Sequence, residues 1–360
     1  MSISGLQKID STDVAQKLLK RDKEMKESKI QTSYDKNRQC LGEIYPLSTP
    51  FTVILDTSEA CNFRCSYCFR ATDLQEAWGN YAIKKNLMKW DVFERAVEQI
   101  KEFPESVKQI SLSNHGEPLC NRRLPEMVRY IKDQGITARI SIHTNAALLD
   151  KEYALELAES GIDKVVISLQ GLTSEKYKEI CAVELHFDTF YKNLKYLYDN
   201  KKENTVINIK IMDVAVGNQE EEFYEKFSKI ADHVFVEKMV PIWKNTGNGE
   251  CKPDKVMNKY GEAFPYQECC PLLFNTLVVT PDGDVYPCTQ VLSEECLGNV
   301  SECSLVELWN GKERTELLRR QLLLEAPESC NGCYIRQNSI FTREDMIDAY
   351  RLDILKRLKK

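Results

Sequence analysis

The stretch Cys61-Asn62-Phe63-Arg64-Cys65-Ser66-Tyr67-Cys68 places three cysteines at C-x3-C-x2-C spacing directly after an apolar run, Phe51 to Asp56. Three thiolates gathered on one short loop can ligate three irons of a cubane cluster and leave the fourth iron without a protein ligand. That iron is open to a small molecule. A fully ligated electron-transfer cubane takes four cysteines, and the next one along the chain is Cys120. The other use of such a loop is a structural zinc site with a distant fourth ligand, although zinc knuckles favour paired C-x2-C units.

Composition bounds what surrounds the loop. With 360 residues the chain is long enough for one large domain plus a smaller one. Its 14 cysteines would suggest disulfides in a small secreted protein. The start Met1-Ser2-Ile3-Ser4-Gly5 lacks the apolar region of a signal peptide, so reduced thiols serving metal, in the cytoplasm, are the expectation. No apolar run reaches membrane-spanning length, so no membrane partner is expected. A net charge of -6 and a pI near 5.6 argue against a nucleic-acid partner. The basic end Lys356-Arg357-Leu358-Lys359-Lys360 reads as the solvated end of a helix.

Residues 1–50 read as an N-terminal helical extension, with a mixed-charge helix from Val14 to Lys29 lying on the main domain. From residue 51 to about 245, β-rich runs alternate with amphipathic ones. The strands expected are Phe51 to Asp56, Val107 to Ser113, Ala138 to His143, Lys164 to Leu169, Val206 to Met212 and His233 to Glu237. Helices are expected at Asp91 to Phe103, Leu124 to Gln134, Lys151 to Ser160, Phe187 to Asn200 and Glu220 to Ile230, with Gly135 and Gly161 at helix C-terminal caps. Alternation of this kind implies right-handed crossovers and a parallel sheet, an α/β fold whose ligands gather beyond the C-terminal strand ends. Six units fall short of the eight that close a barrel.

The character changes after about Val240. Thr276 to Thr280 and Val285 to Cys288 flank the turn Pro281-Asp282-Gly283-Asp284, a hairpin with Cys270 and Cys288 near its ends. Cys330-Asn331-Gly332-Cys333 adds a C-x2-C pair. Two local pairs make a second metal site, with zinc as the default ion and Cys269 an alternative to Cys270. Residues 246–340 form this module, with Ser304 capping a helix inside it, and residues 341–360 a C-terminal helix.

The cysteine loop, with Tyr67 just before its third cysteine, resembles that of the radical S-adenosylmethionine (SAM) enzymes. The pattern Cys270-x12-Gly283-x4-Cys288 with Cys330-x2-Cys333 resembles their C-terminal SPASM module in its single-cluster twitch form. The resemblance implies a partial (β/α)6 barrel followed by a small α+β SPASM/twitch module. It implies two 4Fe-4S clusters, one on Cys61, Cys65 and Cys68, the other an auxiliary cluster on Cys270, Cys288, Cys330 and Cys333. In Ser113-Asn114-His115-Gly116-Glu117-Pro118 the family usually reads Gly-Gly-Glu-Pro, a segment that holds the amino group of SAM. Here His115 replaces the first glycine. The implied SAM contacts are Tyr67, Gly116, Glu117, Thr144, Asn145 and Ser168, and strand capping is the other reading of the last three. Along Val206 to Met212 the alternation aims Asn208, Lys210 and Met212 at the lumen, toward SAM or substrate.

The implied chemistry is reductive cleavage of SAM to a 5′-deoxyadenosyl radical, abstraction of a substrate hydrogen atom, and oxidation of the substrate radical through the auxiliary cluster. An electron donor such as flavodoxin or ferredoxin is implied as a partner. The pattern is closest to twitch enzymes that dehydrogenate an alcohol of a sugar or cyclitol. Peptide modification, by epimerisation or cross-linking, is the alternative. A third reading, a cluster-bearing binding protein without SAM cleavage, draws on His115.

Overall fold

Thr52-Val53-Ile54-Leu55 is a run of β-branched and aliphatic residues, and it forms strand β1 at the middle of a parallel sheet. The computed structural model describes residues 29–33, 38–71, 85–240, 258–261, 267–290, 295–330, 333, 335–336 and 342–358. The expected helix Val14 to Lys29 falls almost wholly outside these residues, as does the expected boundary between residues 245 and 246. Five further strands follow β1: β2 (Gln109–Ser111), β3 (Arg139–Thr144), β4 (Lys164–Leu169), β5 (Val206–Met212) and β6 (His233–Glu237). Each pairs in parallel with its predecessor.

Between the strands lie α1 (Trp90–Ile100), α2 (Leu124–Asp133), α3 (Lys151–Glu159), α4 (Ser174–Cys181), α5 (Phe187–Asn200) and α6 (Glu220–Phe227). Each turns an apolar stripe to one face of the sheet, where Val53, Leu55, Ile110, Ile140, Ile142, Val165, Ile167, Ile207 and Ile209 are sealed in the main core. Successive strand residues point to opposite faces. The alternate set, Thr52, Gln109, Ser111, Ser141, His143, Ser168, Asn208 and Lys210, therefore faces the lumen. Gly135 and Gly161 hold φ of 72° and 90° just past α2 and α3, the left-handed conformation in which a side chain would be strained.

The largest departure from the sequence expectation is α4. This eight-residue helix is mostly polar and starts at Thr173, whose hydroxyl accepts from the Lys176 N–H at 3.2 Å. It buries only Tyr177, Ile180 and Cys181, too short a stripe to show as a periodic pattern. Helix α6 stops at Phe227, three residues before the expected end.

The C-terminal module is continuous with the barrel's sheet. Strand β7 (Thr276–Val279) pairs in parallel with the free edge of β1, and β8 (Asp284–Tyr286) and β9 (Gly298–Asn299) follow antiparallel. The result is one nine-stranded sheet in the order β6-β5-β4-β3-β2-β1-β7-β8-β9. Covering the edge of β1 removes a row of open backbone groups beside the cysteine loop. Helices α7 (Leu305–Asn310) and α8 (Lys312–Leu322) follow in the module, and the expected C-terminal helix of residues 341–360 is the shorter α9 (Arg351–Leu358), preceded by two single turns at Arg343–Asp345 and Asp348–Tyr350. Ser304 caps α7 with a reciprocal Glu307 contact. A second apolar cluster joins Leu41 and Tyr45 to Phe274, Leu317, Leu318, Ile347 and Ile354, and Cys269 and Cys270 are buried within it.

Candidate active site

The cysteine loop leaves β1 and is fastened at three places. Its backbone docks on the C-terminal end of α4, where the carbonyls of Cys181 and Ile180 accept from the N–H groups of Arg64 at 3.1 Å and Ser66 at 2.8 Å. Carbonyls at a helix end have no partner within the helix, so the loop supplies one. Asn62 accepts from the Asn145 amide at 2.8 Å. The Arg70 guanidinium donates to the carbonyls of Glu59 and His115.

The segment after β2 closes against the same loop. A Cβ on Gly116 would sit 2.0 Å from the Ser58 carbonyl oxygen and 2.5 Å from that of Ala60. Gly116 is thus required by the close passage of the two backbones, and the Glu117 N–H donates to the Ala60 carbonyl at 2.8 Å. The buried Glu117 carboxylate accepts from Leu119 N–H at 3.0 Å, from Asn145 N–H at 2.7 Å and from the Thr144 hydroxyl. Burial pushes its pKa up to about 7, against the pull of these donors. Glu117, Thr144 and Asn145 form one knot at the ends of β2 and β3. Ser168 lies on the neighbouring β4, one residue before its end. Tyr67 is largely buried beside Cys65, and burial raises the pKa of its hydroxyl.

His115 fills the position of a family glycine with a packed ring. It meets Phe69 edge-on at 5.8 Å, and its backbone N–H donates to the Asp56 carboxylate at 3.3 Å. Burial, more than the nearby Arg70, lowers its pKa to about 3, so the imidazole is neutral. The ring also bonds the Thr289 backbone, and the Asn114 amide reaches the Thr289 carbonyl at 3.4 Å. Thr289 follows Cys288, so this substitution links the loop after β2 to the C-terminal hairpin.

The thiols suit iron–sulfur ligation better than free nucleophilic chemistry. Burial raises the pKa values of Cys61 and Cys68 to about 11, while Cys65 is raised by a contact with Cys181, its sulfur 3.6 Å away, and by burial. A thiol in such surroundings stays protonated until a metal takes the proton's place. Cys181 was not singled out in the sequence, because only the fold of α4 carries it to the loop.

In the module, Cys270, Cys288, Cys330 and Cys333 line a single cavity. Burial raises the Cys270 thiol strongly, and Cys288, Cys333 and Cys330 add to the effect. Cys269 turns the other way, with its sulfur 3.1 Å from the Gln321 carbonyl and its N–H 2.8 Å from Asp348. Cys296 and Cys303 are exposed. Four thiols on one cavity match the donor set of a closed cubane.

A cavity of about 850 Å³ opens at the N-terminal strand ends, where Thr52, Gln109, Arg139, Lys164, Val206 and His233 begin their strands, and neither the cysteine loop nor the Glu117 knot lines it. This is the size of a small-molecule site.

Two family models match the chain: the radical SAM superfamily over residues 55–226 and the SPASM iron-sulfur cluster-binding domain over residues 269–334. The chain belongs to the radical SAM superfamily and carries a C-terminal SPASM module. It is a radical SAM enzyme, and its cofactors are SAM and 4Fe-4S clusters. A tungsten-containing aldehyde ferredoxin oxidoreductase cofactor-modifying protein of Pyrococcus furiosus is 26% identical over 341 residues, covering 82% of this chain and 90% of that protein. A probable GTP 3′,8-cyclase of Methanococcus maripaludis is 32% identical over 163 residues, 45% of this chain and 50% of its own length. Among solved structures, anSMEcpe with bound AdoMet superposes with a TM-score of 0.56 at 20% identity, covering 86% of this chain and 96% of that one. Streptococcus suis SuiB bound to its precursor peptide SuiA gives 0.54 at 18%, over 87% and 73% of the two chains. BtrN in complex with AdoMet and 2-DOIA gives 0.51 at 18%, over 81% and 94%. No helix among the described residues is long and apolar enough to cross a membrane.

Proposed function

We propose that the enzyme oxidises its substrate by two electrons, removing hydrogen from an alcohol carbon of a sugar-like or cyclitol-like small molecule. The observation that carries this reading is the convergence of Cys270, Cys288, Cys330 and Cys333 on one cavity. Four thiolates close a cubane to substrate and leave it an electron carrier. When bound, the cofactors supply a 5′-deoxyadenosyl radical at the loop of Cys61, Cys65 and Cys68 and a one-electron acceptor in the module.

The chain's own groups then bind, orient and exclude. Glu117, whose two oxygens already accept from Leu119, Thr144 and Asn145, would accept in addition from the amino group of SAM, with Gly116 keeping the backbone close beside the loop. Asn145 also fixes Asn62 and so the loop itself, and Ser168 and Tyr67 would complete the SAM contacts. The substrate would bind beyond the C-terminal strand ends, beside the cysteine loop and the Glu117 knot. BtrN with 2-DOIA and the cofactor-modifying relative favour a small molecule. SuiB bound to its precursor peptide favours the second reading, modification of a peptide. Flavodoxin or ferredoxin would serve as the electron donor, and a cytoplasmic location suits both the donor and the reduced thiols.

Cys288→Ala tests the reading. In a variant that retains SAM binding and its circular dichroism spectrum, 5′-deoxyadenosine should still form while oxidised product disappears. Full product yield without the auxiliary cluster would overturn the electron-acceptor role and favour a redox-neutral reaction such as epimerisation.

A further inference from the structure

Strands β5 and β6 place a buried ion cluster on the lumen face. The Lys210 ammonium lies 2.6 Å from Glu237 Oε2, and the Lys259 ammonium 3.1 Å from Glu237 Oε1. Lys259 reaches this position from the segment after β6, which is pinned by a backbone bond from Lys238 N–H to the Lys259 carbonyl at 2.8 Å. The Glu237 side chain is 6% exposed and those of Lys210 and Lys259 are 19% and 20% exposed, so the carboxylate is covered and the lysine side chains are partly so. Burial alone would raise Glu237, yet the two lysines hold its pKa down to about 2. The carboxylate is therefore ionised, and among the described residues two lysines share this one carboxylate, although burial lowers the pKa of Lys210.

Buried charges are ordinarily balanced, because an uncompensated one carries a large desolvation penalty. The surplus here sits beside a second lumen group. His143 is exposed on the lumen side, and the neighbouring Lys210 and Lys259 disfavour its protonation. The neutral imidazole adds no charge of its own. Lys210 stands level with Ser168 in the register, near the strand ends that carry the Glu117 knot. In the sheet, β2, β3 and β4 separate this cluster from β1, the strand that leads into the cysteine loop.

We infer that Lys210 and Lys259 form an anion-recognising subsite and that the substrate carries a carboxylate or phosphate group, which supplies the negative charge the cluster lacks. This deepens the proposed function, since it rests on the lumen being the substrate's place. Ammonium–oxyanion hydrogen bonds would anchor the far end of the substrate on β5 and β6. The reacting carbon is then held toward the cysteine loop. Glu237 keeps both lysines charged and aimed, so it is a positioning residue.

The test is calorimetric titration of the reconstituted holoenzyme, with SAM present throughout, using inorganic phosphate and succinate as probes. Saturable binding of one or both is expected, and the stronger probe tells whether the natural group is a phosphate or a carboxylate. Lys210→Gln and Lys259→Gln should each weaken it at least tenfold. Glu237→Gln, which removes the group that keeps both lysines charged and aimed, should weaken it as well, and Lys210→Arg should retain it. Because Lys210→Gln leaves a balanced Lys259–Glu237 pair, the variant should fold; its melting temperature and iron content verify this. No saturable binding of either probe would overturn the inference, as would equal affinity in the wild type and both glutamine variants. Loss of SAM affinity in Lys210→Gln with probe affinity unchanged would also overturn it, by giving the ammonium to the carboxylate of SAM. The oxidation reading fails separately, through product analysis of the Cys288→Ala enzyme, and that result leaves the probe titration untouched.

Discussion

The two cysteine sets are held in opposite ways. Cys61, Cys65 and Cys68 lie within eight residues on a loop fastened by backbone bonds to α4 and by side-chain bonds to Asn145 and His115. Cys270, Cys288, Cys330 and Cys333 come from three separate segments, and the Cys330–Cys333 turn is closed by its own backbone bonds, Cys330 N–H to Pro327 and Cys333 N–H to Cys330. The first set is thus tied to the barrel through the hydrogen bonds of its own loop, whereas the second is spread over three segments that a shared cluster, as proposed, would staple together.

Removing the loop thiols should have the largest effect. With Cys61, Cys65 and Cys68 all changed to alanine, 5′-deoxyadenosine formation should vanish, and iron should fall from about eight to about four per chain. The circular dichroism spectrum should not change. An unchanged iron count would break the assignment of the loop, and zinc in the remainder would break that of the module.

Stripping all iron by chelation under reducing conditions sharpens the contrast. Hydrogen exchange should then speed up by more than about tenfold across residues 267–290 and 312–336, as expected for a segment whose stability is linked to metal. The amides of Arg64 and Ser66 should keep their protection, because their acceptors belong to α4. Equal loosening of both regions would show that the loop too depends on its cluster.

A smaller effect is expected at the knot. Glu117→Gln should weaken SAM binding by about 1.5–3 kcal/mol with iron content unchanged. The pH dependence gives the sign of the same contact. With its pKa raised to about 7, the Glu117 carboxyl must give up a proton below that pH before it accepts from an amino group. SAM affinity should therefore rise with pH up to about 7, by roughly tenfold per unit at most, and level off above it. In Glu117→Gln the profile should be flat; titration calorimetry across pH 5.5 to about 8.5 reads both.

His115→Gly should change SAM binding least. It removes a buried ring and its bond to Thr289, costing about 2–4 kcal/mol of stability by thermal denaturation. SAM affinity should stay the same, since Glu117 keeps its three donors. A large loss of affinity would move His115 from the clasp between the two regions into the SAM site itself.

Much of this protein is legible in its linear order. Strands β4, β5 and β6 coincide with the expected runs, because a strand buried on one face needs an unbroken apolar alternation that shows in the letters. The C-x3-C-x2-C loop and the two later cysteine pairs are equally visible, since metal ligation demands particular atoms at short spacing. The positive-φ glycines after α2 and α3 belong to the same class of local signal.

Tertiary structure alone decided the rest. Helix α4 left no clear period, yet its C-terminal carbonyls anchor the loop and bring Cys181 within 3.6 Å of Cys65. Gly116 reads as a glycine for ligand approach, and only the fold reveals that the backbone of Ser58 to Ala60 occupies that space. The addition of β7 to β1, the pairing of His115 with Thr289 and the two-lysine cluster on Glu237 join residues far apart in the chain. Local sequence encodes what a segment can form by itself. Which distant groups must share a buried space, and which charge among them is left over, is set only when the sheet brings them together.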